Sequence, residues 1–109
     1  MPIYRRHPRA PLNVLLNKIV GDMPFMCQST DISEEGIWLT KLIEPRHGET
    51  EVGIEILLPG EREVVEARGE IVREGRRRAN EGTAVRFTLL AEPHRLMIRR
   101  YVEGHDLAA

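Results

Sequence analysis

Apolar and polar residues alternate with a period of two through most of this chain, the pattern of strands buried on one face. Along LNVLLNKIV at 12–20 the alternation is imperfect, with Leu12, Val14 and Leu16 on one face. FMCQSTDI at 25–32 predicts a second strand running into a polar turn, and Ile37 to Leu42 a third. The clearest case is EVGIEILL at 51–58, where Val52, Ile54, Ile56 and Leu58 oppose Glu51 and Glu55. Pro59-Gly60 then marks a turn. EVVEARGEIVR at 63–73 predicts a long fifth strand with Gly69 at a bulge or bend. GRRRANEG at 75–82 reads as a polar hairpin connection, and TAVRFTLL at 83–90 as a sixth strand with Val85, Phe87 and Leu89 facing inward.

The period then changes. Glu92-Pro93 offers an N-terminal acid and an N1 proline. Leu96, Met97, Ile98, Tyr101 and Val102 follow as a broad apolar stripe at helical spacing, with Gly104 as the expected stop. The expected fold class is all-β: a six-stranded antiparallel barrel with a C-terminal helix at about 92–103. Residues 12–109 would form the barrel and helix, and residues 1–11 a flexible arm.

Composition sharpens this picture in three ways. Hydrophobic residues make up 41% and charged ones 30%, the balance of a globular domain, and no apolar run is long enough for a membrane helix. The basic N-terminus lacks a following apolar stretch and does not read as a signal peptide, so the cytoplasm is the expected compartment. The single cysteine, Cys27, fits a reducing environment and a buried strand position. Charge is uneven despite a net of −1: residues 1–21 hold Arg5, Arg6, Arg9 and Lys18 without one acid. A positive arm on an acidic body points to an anionic ligand.

Enzymatic chemistry finds no footing. His7, His47, His94 and His105 are scattered without metal-ligand spacing, and no CxxC, HExxH or phosphate-binding glycine loop occurs. Ser33 has Asp31 nearby but no histidine close in sequence. Neither catalytic residues, a metal nor a cofactor is expected.

Two segments stand out. Arg5-Arg6-His7-Pro8-Arg9 contains RxxxR, and Asp31-Ile32-Ser33-Glu34-Glu35-Gly36 contains DxSxxG. The second is also a natural turn, in which Asp31 and Ser33 can bond nearby backbone and Gly36 can supply a positive φ. In this order, 22 positions apart from Arg9 to Asp31, they resemble the motif pair of the PilZ domain, a bacterial receptor for cyclic di-GMP. GIWLT after the turn and EGTAVRF before the helix extend the resemblance over essentially the whole chain.

The resemblance implies a cyclic di-GMP site made by Arg5, Arg9, Asp31, Ser33 and Gly36. A guanidinium fork matches the O6 and N7 acceptors of guanine and the charge of its phosphodiesters. A carboxylate suits the N1–H and N2–H₂ donors. Arg6, Tyr4 and Trp38 are further candidate contacts. Tyr4, just before the first arginine, bears on whether one ligand or an intercalated pair binds. Arg86 lies on the outward phase of its strand, while Arg76, Arg77 and Arg78 read as a solvated hairpin tip. Function would be that of a receptor whose arm orders around the ligand and presents a new surface to an unidentified downstream protein. The alternative is a PilZ-like interaction module in motility or pilus assembly that binds no nucleotide. The acidic body argues against a nucleic-acid partner, and nothing suggests a membrane.

Overall fold

The computed structural model describes residues 8–41, 48–74 and 82–108. They form seven strands and one helix: β1 (Ala10–Pro11), β2 (Leu15–Val20), β3 (Met23–Ile32), β4 (Gly36–Lys41), β5 (Glu51–Ile56), β6 (Val65–Glu74), β7 (Thr83–Leu90) and α1 (Glu92–Ala108). All pairings are antiparallel, in the order β3-β2-β5-β6-β7-β4, and β4 pairs with β3 to close the barrel. The two-residue β1 adds to the outside of this ring along β3. The six-stranded barrel with a terminal helix is therefore as the alternation predicts.

Glycine sets two of the turns. Gly21 has φ +61° between Val20 and Met23, a conformation suited to a tight two-residue hairpin. Gly60 has φ +84° after Pro59, and Glu61 N–H donates to the Leu58 carbonyl at 3.1 Å, closing the turn read from Pro59-Gly60. The core is aliphatic: Leu16, Ile32, Ile37, Leu39, Val52, Ile54, Ile56, Val65 and Val85 point inward. Met97, Ile98 and Val102 of α1 join the core, and the helix packs against β1 and β6. Cys27 is buried in β3, where its thiol meets the Phe25 carbonyl.

Four expectations need correction. Lys18 belongs to the inward phase of β2 with Leu16 and Val20 and is fully buried, so it adds nothing to a positive surface on the arm. Leu89 points outward and is 65% exposed. Its phase flips because β7 carries an extra residue, Thr88: Phe87 pairs with Gly69, but Leu89 pairs with the adjacent Arg68. The bulge foreseen at Gly69 thus exists, with the inserted residue on the partner strand. Gly36 does not have positive φ; among the described glycines only Gly21 and Gly60 do. Finally, α1 continues through Gly104 to Ala108, since one glycine costs a helix only about 1 kcal/mol.

Candidate functional site

The site is assembled by β3 and what pairs with its last third. Ser29, buried in β3, accepts a bond from Val14 N–H at 3.1 Å and donates to the Leu12 carbonyl, while Leu12 N–H donates to Thr30 O at 3.0 Å. These bonds guide the incoming chain along β3, so that Pro11 becomes the register partner of Asp31. The end of the basic arm is thereby delivered to the DISEEG turn.

A bulge then aims the acid. Ser29 pairs with Leu39 and Asp31 with Trp38, leaving Thr30 without a partner opposite on β4. Cys27 and Ser29 face inward, and strict alternation would send Asp31 the same way. The extra residue reverses the phase, turning Asp31 outward and Ile32 into the core. Arg9 meets Asp31 there: its Nε donates to Oδ1 at 2.6 Å, and Nη2 bonds the same oxygen. Both side chains stay partly exposed, at 27% and 34%. Trp38, half-buried beside Asp31, is flanked on its other side by Ala84 of β7. Arg86 sits opposite Gly36 and pairs with Glu70 at 2.8 Å.

The turn itself is held from three sides. Ser33 is 1% exposed; its Oγ accepts from Glu35 N–H at 3.1 Å, and its own N–H donates to Gly36 O at 2.9 Å. A Cβ on Gly36 would collide with the Val85 carbonyl oxygen, so glycine is needed for the close approach of β4 to β7. Glu34 was not singled out by the motif reading. It is buried and takes a two-pronged ion pair from Arg99, with Nε and Nη2 each 3.0 Å from a carboxylate oxygen. That hydrogen bond and charge raise the Arg99 pKa above its ordinary value. Arg95 also donates to the Glu34 carbonyl at 3.3 Å. The signal available in sequence is Arg95 and Arg99 at i, i+4, which share one helix face.

Two residues beyond Arg99, the Tyr101 hydroxyl donates to the Pro11 carbonyl at 2.6 Å, and burial raises the phenol pKa. α1 therefore holds both the arm's anchor and the turn, Tyr101 from one flank of its buried stripe and Arg95 and Arg99 from the other. Of the sequence-predicted residues, Arg9, Asp31, Trp38, Ser33 and Gly36 come together at one end of β3 and β4. Tyr4, Arg5, Arg6, His7, His47 and Arg76, Arg77 and Arg78 lie outside the described residues. Among the described residues no group of three His, Cys, Asp or Glu could hold a metal ion, and no helix is long and apolar enough to cross a membrane.

Comparison with known proteins agrees with this architecture. A model of the PilZ domain matches residues 4–104. No curated protein matches the chain. Among solved structures, the Bacillus subtilis inhibitor of motility MotI/DgrA superposes with a TM-score of 0.80 at 17% identity, covering 98% of this chain and 53% of that one. The chain thus spans about half the length of that neighbour. The PilZ domain of CeSA from a cellulose-synthesizing bacterium superposes at 0.64 with 19% identity, covering 91% of this chain and 98% of that one. These likenesses establish the fold. With the family match spanning nearly all of the sequence, the chain belongs to the PilZ domain family, a family of cyclic di-GMP receptors.

Proposed function

We propose that this chain binds cyclic di-GMP through Arg5, Arg9, Asp31, Ser33 and Gly36 and signals the binding to a partner protein. One observation carries the reading. Arg9 and Asp31, 22 positions apart, meet at a partly exposed surface beside an indole. A fork of donors next to a carboxylate offers guanine both kinds of partner it needs: donors for O6 and N7, an acceptor for N1–H and N2–H₂. Arg5 lies four residues before Arg9, and an extended chain can separate the two by at most ~14 Å. It is thus within range of a dinucleotide held at Asp31, with Arg6 and Tyr4 as further contacts. Trp38 would stack on a base, and Ser33 and Gly36 would act by fixing the turn.

The acting end is proposed to be residues 3–8, in which Arg5, Arg6 and Pro8 leave no apolar pattern. Ordering them on the ligand would create a new surface for the partner. A protein of motility control is the first partner to test, given the neighbour named an inhibitor of motility. Calorimetric titration of the full chain decides the reading. Wild type should bind with a defined stoichiometry, and Arg9→Ala should bind about ten- to a hundred-fold more weakly. Equal affinity in the two proteins would refute the site.

A further inference from the structure

The barrel carries a concave feature on the wall away from Asp31 and Trp38. A groove of about 490 Å³ runs over β2, β5, β6 and the end of β7 to the start of α1. It exists because Gly53 is a glycine: a Cβ there would come within 3.2 Å of Ile19 Cβ. Ile19, Gly53, Arg68 and Leu89 are successive register partners across four strands, so an aliphatic residue stands at either end of the depression. Leu89 is there only because the β7 bulge turned it outward.

The charges beside this floor are unusual. Glu55 and Glu66 are direct cross-strand partners with both side chains exposed, an arrangement that destabilises a sheet. Neither carboxylate has a cationic partner among the described residues. The neighbouring acids Glu51 and Glu70 also face each other, but each has an arginine: Arg68 at 3.5 Å and Arg86 at 2.8 Å. Glu63 has His94, whose Nε2 lies 2.8 Å from its carboxylate. Relief has been supplied to the neighbours and not to the pair at the groove.

We propose that this groove docks a cationic segment of a partner protein, with one aliphatic side chain over Gly53 and a lysine or arginine between Glu55 and Glu66. Arg68 and His94 also line the groove, but they are turned to Glu51 and Glu63. Among the described residues Glu55 and Glu66 are therefore its uncompensated charges, which disfavour nucleic acid and anionic lipid and favour a basic polypeptide. A second copy docked face to face would bring two such acid pairs together, which the same repulsion disfavours. The groove lies across the barrel from the nucleotide site, so both can be occupied at once. The proposal does not depend on cyclic di-GMP binding.

The test is an amide-shift titration of the full ¹⁵N-labelled chain with the peptide Gly-Arg-Leu-Arg-Gly. Gly-Arg-Ser-Arg-Gly and Gly-Glu-Leu-Glu-Gly serve as controls. The Arg-Leu-Arg peptide should move Gly53, Arg68 and Leu89, and both controls should be at least about tenfold weaker. Gly53→Val should abolish those shifts. Because that variant crowds Ile19, the double variant Glu55→Gln/Glu66→Gln is measured in parallel. It should raise the thermal midpoint while weakening the peptide, opposite signs that a purely structural acid pair would not give. Equal binding of the Arg-Ser-Arg peptide, or unchanged binding by both variants, would overturn the proposal. So would a concentration-dependent dimer that shifts the same amides without peptide.

Discussion

The β3–β4 wall and the β5–β6 wall use the same device to different ends. On each side a single inserted residue reverses a strand's phase: Thr30 turns Asp31 outward, and Thr88 turns Leu89 outward. On the first wall the exposed acid is met at once by Arg9 and sits beside an indole. On the second, an exposed leucine borders a hollow whose acids, Glu55 and Glu66, oppose each other without a cation among the described residues. The first is a polar pair whose charges balance each other, and we propose it as the place where a ligand with both phosphate and guanine edges is held. The second carries two acids that no cation among the described residues balances, and we propose that a partner's cation does so. A bulge fixes which side chain faces solvent, and the neighbours then fix what that side chain recognises.

Substitutions can separate the two walls. The largest effect should come from Gly36→Ala, which forces a methyl into the Val85 carbonyl and should cost about 1–3 kcal/mol by chemical denaturation. Nucleotide binding should fall with the fold, in contrast to Arg9→Ala, which should leave the unfolding midpoint nearly unchanged. Glu34→Gln comes next. It removes the charge that Arg99 holds against the turn, so it should lower the thermal midpoint and weaken cyclic di-GMP while sparing the groove peptide. Peptide affinity falling in step with nucleotide affinity would mean the two walls are not independent.

Smaller effects sharpen the same contrast. Trp38 is the sole tryptophan and the register partner of Asp31, so its emission should respond to cyclic di-GMP and stay silent to the groove peptide. The reverse pattern would misplace one of the sites. Smallest is a pH effect at Tyr101. Burial favours its neutral form in the folded state, so the unfolded chain ionises first as pH rises past about 10. Stability should begin to fall there and level off above the folded value, and Tyr101→Phe should flatten that limb of the curve.

Much of the fold was legible because alternation and helical spacing are local. Val52, Ile54, Ile56 and Leu58 lie where their period puts them, and so do Met97, Ile98 and Val102. The motif pair was legible as two short segments, and the structure brings the described part of it together. What escaped depends on pairing across distance. Nothing in Ser29-Thr30-Asp31 says that β4 will skip Thr30, and Leu89 keeps perfect alternation with Val85 and Phe87 until β6 is laid beside it. Lys18 sits in an apolar phase that its own chemistry contradicts, so its burial emerges only once the barrel closes. Glu34 and Arg99 are 65 positions apart, and an ion pair of that span leaves no local pattern.

The central claim is that Arg9 and Asp31 grip one and the same nucleotide, and a double-mutant cycle addresses it directly. Cyclic di-GMP affinity would be measured by calorimetry for wild type, Arg9→Ala, Asp31→Ala and the double variant. Each single change should weaken binding by about tenfold or more, and the double change should cost clearly less than the two combined, as for residues sharing one ligand. Wild-type affinity in either single variant, or strict additivity across the cycle, would contradict the account.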